Sequence, residues 1–534
     1  MRIISSIILA ALMQTAVVFG QAANVPQYDL VIVNARIVDG TGNPWFRGSI
    51  AVKDGRIVRV ATFSPDAGTK TTVIDAKNNI VAPGFIDVHA HTENIYDQPT
   101  ADNFIRMGVT TLVTGNCGGS HLDVGKFLGD INTKPLAINI STLIGHNTVR
   151  TAVLGLDDRQ PTPDEQAKMN ELVAKAMRDG AVGFSTGLIY LPGTFAKTAE
   201  VAELAKAASQ YGGTYASHIR DEMNGVAAAI KEAIDIGEQS KMPTHISHFK
   251  IQSKALWGQT PMTLGLVRSA RDRGVPVTVD QYAYTASSTS LDARLPTWLI
   301  AGGRDEGRKR LADPATRKRA AAEMTQALKD RKFADFSFAY VASYGAHPEF
   351  NGKNIAEITQ ALRRSKKVDA QIEQMFEMYE KGGAQMVYRM MNEDDVRNIM
   401  AAPFTMIAAD AGIQREGPGV PHPRGFGNNA RVLGHYVREL KVITLEDAVR
   451  KMTSLPAQTF GMRDRGMIRE GFAADIVIFD EKIVGDRATF EAPRQFAQGF
   501  THVIVNGGLV FDGQTITPNR PGQAIRGPLA ETRP

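Results

Sequence analysis

The stretch TYASHIRDEMNGVAAAIKEAIDIGEQSKMPTHISH, residues 214–248, contains two short segments that each end in a histidine. TYASH ends at His218 and THISH ends at His248, and the thirty residues between these positions are about the length of one strand–helix–strand unit. Such a unit joins neighbouring parallel strands. We therefore expect both histidines at the same end of two adjacent strands.

The same alternation of apolar strands and helical stretches continues on both sides of this unit. Eight strand candidates can be counted: GFIDVHAH (84–91), VTTLVTGNC (109–117), LAINISTLI (136–144), AVGFSTGLI (181–189), TYASHI (214–219), PTHISHF (243–249), PVTVDQYAY (276–284) and FTMIAADAG (404–412). Eight parallel strands with crossover helices close a barrel. The sequence therefore predicts the α/β class, with a TIM-like (β/α)8 barrel over residues 85–461.

A long gap separates the last two strand candidates. Residues 292–403 hold mostly charged helical sequence and one further strand candidate, FADFSFAYVAS (333–343). We interpret the gap as an insertion that serves as a lid, because catalytic loops project from the C-terminal face of such barrels. The alternative is that FSFAYVAS is itself a barrel strand.

Both ends of the chain follow a different pattern, in which apolar and other residues alternate between Asp-Gly or Asn-Gly turns. The stretches are YDLVIVNARIVDGTG (28–42), GSIAVKDGRIVRVATF (48–63), ADIVIFD (474–480) and THVIVNGGLVFDG (501–513). Alternation of this kind predicts antiparallel strands and hairpins outside the barrel.

The composition is that of an ordinary soluble globular protein, with 534 residues, 43% hydrophobic residues and a net charge of +5. The run RDEGRKRLADPATRKR (304–319) mixes charges of both signs, which is typical of a solvated helix face. We expect no nucleic-acid partner.

The first twenty residues have the character of an export signal. Arg2 precedes an apolar stretch that carries no charge through Gly20. We expect residues 1–20 to be removed and the protein to be periplasmic or secreted. An uncleaved membrane anchor is the alternative, but the apolar run is short and interrupted by polar residues, so stable membrane insertion is not expected. Cys117 is the only cysteine, which excludes an intramolecular disulfide.

Several candidate metal ligands lie at the ends of the predicted strands. They are His89, His91, Cys117, His218, His248 and Asp410. The C-terminal ends of barrel strands meet on one face, where such side chains converge. Imidazole and thiolate ligands together favour zinc.

Two of these residues also have simpler interpretations. Cys117 could be a buried, inert thiol, and Asp410 could be a turn or N-cap carboxylate. His146, in LIGHNT, follows a strand as well and is a candidate for lining the pocket.

The chain also carries an ordered set of longer motifs: VAPGFIDVHAHTE, GNCG, GFSTGLIYLPG, ASHIRDE, ISHFK, YTASSTSL, and PHPRGFG after IAADAG. Together they resemble the N-acyl-D-amino-acid deacylases (D-aminoacylases) of the amidohydrolase superfamily, from about residue 28 to about residue 526. The resemblance implies a zinc-bearing barrel with a small β-sandwich domain built from both chain ends, residues 21–84 and 462–534. It also implies a cysteine after the second strand in place of the bridging lysine of other superfamily members.

The resemblance assigns roles to individual residues. Cys117, His218 and His248 are expected to hold a tightly bound zinc ion. His89 and His91, with Cys117 and Asp410, are expected to form a second, weaker metal site. Asp410 is the expected catalytic acid and base. The residues expected to bind the substrate are Arg424, Lys250, Tyr190 and Tyr282, with Tyr284 as the alternative to Tyr282.

Two departures from the family pattern stand out. Phe249 occupies a position where relatives often have a second histidine, which should not affect metal binding. The spacer between Asp410 and His422 is longer than the family pattern, which bears on the placement of Arg424.

The expected reaction is zinc-dependent hydrolysis of N-acyl-D-amino acids to a carboxylate and a free D-amino acid, with the D preference implied by the resemblance alone. The expected partner is thus a small-molecule substrate. A cyclic-amide (hydantoinase-like) or other amidohydrolase using the same metal site is one alternative. An exported binding protein on an inactive barrel is another alternative. It predicts that some of the metal-ligating residues would be missing.

Overall fold

The computed structural model describes residues 28–63, 71–414 and 417–530. The strands in these ranges are β1 (Leu30–Ile37), β2 (Phe46–Lys53), β3 (Arg56–Ala61), β4 (Thr72–Asp75), β5 (Ile80–Pro83), β6 (Phe85–Asp87), β7 (Ala90–His91), β8 (Val109–Thr114), β9 (Asn139–Thr142), β10 (Ile144–Gly145), β11 (Gly183–Gly187), β12 (Thr214–His218), β13 (Thr244–Ile246), β14 (Val277–Gln281), β15 (Ser287–Ser290), β16 (Ala339–Ser343), β17 (Gln385–Tyr388), β18 (Thr405–Ile407), β19 (Ala411–Gly412), β20 (Ile476–Phe479), β21 (Phe500–Val505) and β22 (Gly508–Phe511).

The α-helices in the same ranges are α1 (Asp102–Ile105), α2 (Val124–Ile131), α3 (His146–Leu154), α4 (Pro163–Arg178), α5 (Thr198–Ser209), α6 (Val226–Ser240), α7 (Thr260–Asp272), α8 (Thr297–Ile300), α9 (Arg304–Leu311), α10 (Pro314–Asp330), α11 (Ile355–Arg363), α12 (Val368–Glu380), α13 (Glu393–Ala401), α14 (Arg424–Arg431), α15 (Leu445–Met452) and α16 (Ser454–Thr459). Helix α14 continues as a π-helical segment, Val432–Glu439.

Eight parallel strands form the barrel, and they are the eight expected from the sequence. One hydrogen-bonded run is β6, β8 and β9, and the other is β10, β11, β12, β13, β14 and β18. Strands β9 and β10 follow one another with only Leu143 between them and count as one barrel strand, so the nine labels make eight strands. Every residue of β8 is buried, as expected for a strand of a parallel sheet covered on both faces. The predicted (β/α)8 barrel is confirmed.

The barrel closes through the short strands that follow its first and last strands. Strands β7 and β19 pair in parallel, with Ala90 opposite Ala411 and His91 opposite Gly412. The backbone nitrogen of Ala409 also donates a hydrogen bond to the Asp87 carboxylate at 2.9 Å. This closure brings the DVHAH segment next to the end of the eighth strand.

Local sequence sets the crossover helices, and α4 is a clear case. Thr162 caps the helix by accepting a hydrogen bond from the backbone nitrogen of Glu165 at 3.3 Å. The Glu165 carboxylate in turn accepts one from the backbone nitrogen of Thr162 at 2.8 Å, which completes a capping box. Pro163 occupies the first turn, where its missing N–H costs nothing. Met169 and Val173 are buried on the side that faces the barrel core.

Strands from both chain ends form one sheet outside the barrel. It contains β1 to β5 together with β20, β21 and β22, and β5 pairs antiparallel with β20. The small β-domain built from both ends of the chain is therefore confirmed, and its hydrogen bonding is continuous across all eight strands.

The insertion between β14 and β18 has its own sheet and core. Strands β15, β17 and β16 form an antiparallel sheet in that order. The FSFAYVAS stretch contributes β16, which pairs with β17 rather than with a barrel strand. A separate apolar cluster between Leu291 and Met390 holds the insertion together. Its role as a lid and the exact domain limits stay predictions.

The predicted export signal, residues 1–20, lies outside the described residues. Within the part of the chain that the structure describes, no helix combines the length and apolar character needed to cross a bilayer.

Candidate metal centre and active site

Four side chains at or just after the ends of four different barrel strands converge at the C-terminal face. The Cys117 sulfur lies 3.3 Å from His89 Nε2, 3.5 Å from His218 Nδ1 and 3.6 Å from His248 Nε2. His218 Nδ1 and His248 Nε2 are 2.7 Å apart. Three imidazoles and one thiol thus point at one place, as the strand-end positions predicted.

Asp410 and His91 lie on the other side of this cluster. The Asp410 Oδ1 atom is 3.2 Å from His91 Nε2 and 3.6 Å from His89 Nε2. The pairing of β7 with β19 accounts for this proximity, because it joins the first and last strands beside the cluster. His89 therefore belongs to both groups of potential ligands.

Three of these residues have a backbone conformation that ordinary side chains rarely adopt. The φ angles are 53° at Cys117, 36° at His248 and 49° at Asp410. A left-handed conformation costs about 1–2 kcal/mol at a residue with a side chain. Strain of this kind persists where the surrounding structure enforces it and is concentrated at functional sites. It turns each of the three side chains into the cluster just after its strand ends.

Glycines around Cys117 let the backbone pack closely against the neighbouring strands. A Cβ atom on Gly115 would lie 2.3 Å from the carbonyl oxygen of Leu143, and one on Gly118 would lie 2.2 Å from the Asn147 side chain. Both glycines also have positive φ angles, 78° and 77°. The GNCGG turn therefore requires glycine at these two positions.

The cluster is electrostatically arranged for anionic ligands on Cys117 and Asp410. Burial alone would raise the pKa of the Cys117 thiol, but the rings of His89 and His218 and the contacts with His218 and His248 hold it well below its usual range. Burial would likewise raise the pKa of Asp410, and Arg424, His89 and His91 outweigh it, so this pKa is also well below its usual range.

The donor set fits a zinc ion. Thiolate sulfur and imidazole nitrogen are the ligands that zinc takes in proteins, and Cys117, His218 and His248 offer three of them around one point. A three-ligand site leaves a fourth position open, which is the arrangement of catalytic zinc. His89, His91 and Asp410 offer a second group of three, within 4.8 Å of one another.

A buried carboxylate outside the set predicted from the sequence, Asp280, supports His89. Asp280 Oδ2 lies 3.2 Å from His89 Nδ1 and 2.7 Å from His245 Nε2. Its other oxygen accepts a hydrogen bond from the backbone nitrogen of His248 at 2.8 Å. Asp280 therefore fixes the His89 ring and the turn that carries His248. The signal was present, because Asp280 lies in the apolar strand PVTVDQYAY.

A second unanticipated carboxylate, Glu222, lies behind the other two histidines. It is 3% exposed and forms an ion pair with Lys250. Its Oε1 atom is 2.9 Å from His248 Nδ1. The Lys250 ammonium in the site is therefore already paired with the Glu222 carboxylate.

The cluster lies on the floor of a cavity of about 840 Å³. The lining includes Tyr190, Lys250, Asp410 and Arg424 among the predicted residues. It also includes Arg294 from the insertion, whose guanidinium donates to Gln252 Oε1 at 2.7 Å and lies 4.3 Å from the centre of the Tyr388 ring. Arg294 is not among the residues predicted from the sequence.

Arg424 reaches the cluster despite the long spacer that precedes it. Its Nη1 atom forms an ion pair with Asp410 Oδ2 at 2.8 Å, and its guanidinium lies 4.5 Å from the centre of the Tyr282 ring. Of the two candidate tyrosines, Tyr282 is the one beside Arg424. Tyr282 is 1% exposed, so its ring packs against the Arg424 guanidinium and is covered by the protein. A direct contact of Tyr282 with substrate stays a prediction. The Tyr284 hydroxyl instead donates to Asp486 Oδ2 at 3.2 Å.

Tyr190 lines the cavity next to His218, with 4.7 Å between the two ring centres. Its hydroxyl lies 3.0 Å from Thr289 Oγ1 of strand β15. This contact joins the barrel to the insertion at the edge of the site.

His146 does not line the pocket, so that expectation was wrong. Its side chain is fully buried and its Nε2 atom lies 2.9 Å from Glu200 Oε1. Arg150 donates to the same oxygen at 3.0 Å. His146 begins helix α3, and the helix turns its side chain toward α5 instead of the barrel mouth.

The sequence also matches known proteins along most of its length. The amidohydrolase family model matches residues 72–511. N-acyl-D-glutamate deacylase of Alcaligenes xylosoxydans xylosoxydans is 34% identical over 526 residues, which cover 93% of this chain and 96% of that protein. D-aminoacylase of the same organism is 34% identical over 522 residues, which cover 93% of this chain and 97% of that protein.

A solved structure is similar over the same extent. N-acyl-D-glutamate deacylase from Bordetella bronchiseptica, complexed with zinc and a phosphonate inhibitor, superposes with a TM-score of 0.79. It is 33% identical, and the match covers 94% of this chain and all of that chain. The chain therefore belongs to the amidohydrolase family, and the resemblance to the N-acyl-D-amino-acid deacylases within it is confirmed.

Proposed function

We propose that the protein is a zinc-dependent deacylase that hydrolyses the amide bond of N-acyl-D-amino acids to a carboxylate and a free D-amino acid. The observation that carries this proposal is the position of Asp410, which contacts His91 on one side and Arg424 on the other within one cavity. The D configuration is proposed because the relatives are named for D-amino-acid derivatives.

Cys117, His218 and His248 would hold the tightly bound zinc ion. His89 and His91, with Cys117 and Asp410, would form the second, weaker site. Bound zinc supplies Lewis acidity toward an amide carbonyl oxygen and lowers the pKa of a water molecule. The zinc in the solved relative supports zinc as the metal of this site.

Asp410 would carry the proton transfers. The neighbouring Arg424 and histidines keep its pKa low, so it is an ionised carboxylate able to accept a proton from attacking water. The same carboxyl group would then donate that proton to the departing nitrogen. Arg424 holds the other carboxylate oxygen at 2.8 Å, which fixes the direction of the accepting oxygen.

Arg424 and Lys250 would bind the α-carboxylate of the substrate, and Tyr190 would border the scissile group. A guanidinium offers two parallel hydrogen bonds to a carboxylate, and an ammonium adds a point charge. Both cations already have an acidic partner, Asp410 for Arg424 and Glu222 for Lys250. The substrate carboxylate would therefore bind remaining N–H donors of Arg424 and Lys250 while Asp410 and Glu222 keep their contacts with these cations.

The test is hydrolysis of matched substrates by the purified full chain supplied with zinc. We expect amine release from N-acetyl-D-amino acids, much slower release from the L enantiomers, and no ring opening of a hydantoin. Ring opening of the hydantoin without amine release would replace the proposal with the cyclic-amide alternative. Absence of both reactions from a zinc-loaded protein would contradict amide hydrolysis.

We also propose that the protein is exported to the periplasm or beyond the cell. The support is the sequence of residues 1–20, with Arg2 before an uncharged apolar stretch. The N-terminus of the mature protein should begin between residues 21 and 24. A cytoplasmic product that retains Arg2 would contradict export.

A further inference from the structure

Glu222 contacts one proposed zinc ligand, His248, and the proposed substrate-binding cation, Lys250. Its Oε1 atom lies 2.9 Å from His248 Nδ1 and also pairs with the Lys250 ammonium. Its Oε2 atom accepts a hydrogen bond from Gln252 Nε2 at 2.7 Å and lies 4.0 Å from His218 Nε2. Both oxygens are therefore engaged, in a site where the carboxylate is almost completely buried.

The ring nitrogens that face Glu222 are not the ones that face Cys117. His248 presents Nε2 to the Cys117 sulfur and Nδ1 to Glu222. His218 presents Nδ1 to the sulfur, whereas its Nε2 atom lies 4.0 Å from Glu222 Oε2, beyond hydrogen-bond distance. A carboxylate on the far nitrogen of a histidine fixes its tautomer and its ring orientation and raises its strength as a metal ligand.

Lys250 cannot take over this task. An ammonium group has only hydrogen-bond donors, so its Nζ atom, 2.9 Å from His248 Nδ1, would compete with a proton on that nitrogen. Glu222 Oε1 accepts a hydrogen bond from Lys250 and also lies 2.9 Å from His248 Nδ1, so it offers a proton on that nitrogen an acceptor that Lys250 does not. A proton on His248 Nδ1 would face this carboxylate, and Nε2 would then be free to bind a metal.

We propose that Glu222 is a positioning residue that orients His248 for zinc and that holds Lys250 at the cavity floor. This inference rests on the proposed zinc site. It makes zinc affinity depend on a residue that does not contact the ion, and it makes substrate affinity depend on the same carboxylate through Lys250.

The test is the zinc affinity of Glu222→Gln, measured on the metal-free full chain by competition with a chromophoric chelator. We expect affinity to fall about 10- to 100-fold, the usual effect of removing such a partner. The matched control is Glu200→Gln. Glu200 is 5% exposed and also bonds a histidine and an arginine, yet it contacts none of the proposed ligands. Its substitution should leave zinc affinity within about 2-fold of wild type, and equal affinities in all three proteins would overturn the inference.

A second variant separates positioning from charge balance and guards against misfolding. Glu222→Gln leaves Lys250 buried without its acid, whereas Glu222→Gln with Lys250→Met removes both charges. We expect zinc binding by the double variant to stay weak. Recovery of wild-type affinity would mean that Glu222 only neutralises Lys250, and the inference would be wrong.

The two proposals can fail separately, because chelator competition requires no substrate. Tight zinc binding by wild type with no effect of Glu222→Gln would contradict the role of Glu222 and leave the proposed function intact. Absence of zinc binding by wild type would contradict both the proposed function and the role of Glu222. With zinc saturating, Glu222→Gln should also raise KM for an N-acetyl-D-amino acid more than it lowers kcat, because Lys250 loses its anchor.

Discussion

Replacement of Arg424 by methionine tests how the site recognises a free carboxylate. Arg424 has two candidate tasks, since it pairs with Asp410 at 2.8 Å and also faces the cavity that would receive the substrate. A hydrogen bond to a charged group is worth about 1.5–3 kcal/mol, and 1.4 kcal/mol corresponds to a factor of ten. Loss of the contact with the substrate carboxylate should therefore cost about 10- to 150-fold in kcat/KM.

The assay compares two substrates, an N-acetyl-D-amino acid and the same compound with its carboxylate converted to a carboxamide. The ratio of their kcat/KM values cancels any effect that acts through Asp410, because both substrates need the same proton transfers. We expect Arg424→Met to reduce the acid-to-amide ratio about 10- to 150-fold.

Arg431 provides the control at the other end of helix α14. It pairs with Asp486 at 3.3 Å and lies 5.0 Å from the centre of the Tyr284 ring. Arg431→Met should leave the acid-to-amide ratio unchanged. An unchanged ratio in Arg424→Met as well, with equal losses on both substrates, would show that Arg424 acts only through Asp410.

Three further predictions concern stability. Because φ is 53° at Cys117, metal-free Cys117→Gly should have a free energy of unfolding about 1 kcal/mol higher than metal-free Cys117→Ala, measured by denaturant titration. Equal free energies of unfolding would contradict the left-handed turn. Gly118→Ala should lower the free energy of unfolding by at least about 1 kcal/mol and reduce the zinc content. Gly119→Ala should change neither, because its added Cβ atom would have its nearest neighbour at 3.8 Å. Equal effects of the two substitutions would contradict the close packing at Gly118. Burial lowers the pKa of Lys451 from 10.5 to about 8, so the unfolded chain binds more protons between these values. Denaturation of wild type should accordingly show stability rising with pH over that window by up to about 3 kcal/mol relative to Lys451→Met, and parallel pH profiles would contradict it.

The barrel and the convergence of the candidate metal ligands were predictable from the sequence because both depend on strand ends. A parallel barrel brings the C-terminal ends of all its strands to one face, whatever the connecting helices contain. Histidines at the ends of TYASH and THISH, and Cys117 at the end of VTTLVTGNC, were therefore expected together, and the structure brings them together.

The carboxylates behind the ligands were not predictable in the same way. Glu222 lies in a turn four residues after His218, and its contact with His248 depends on the path of that turn. Strand periodicity says nothing about such a path. The prediction that His146 lines the pocket was wrong for a related reason. The sequence does not distinguish the last residue of a strand from the first residue of the following helix, and here helix α3 directs the side chain away from the pocket.

The most direct test of the whole account is the zinc content of the purified full chain and of Cys117→Ala, measured with amine release from paired N-acetyl-D- and N-acetyl-L-amino acids. The account predicts about one tightly held zinc per wild-type chain with D-selective hydrolysis, and loss of both in the variant. Full zinc content and undiminished hydrolysis in Cys117→Ala would contradict it, because the single cysteine would then be an ordinary thiol.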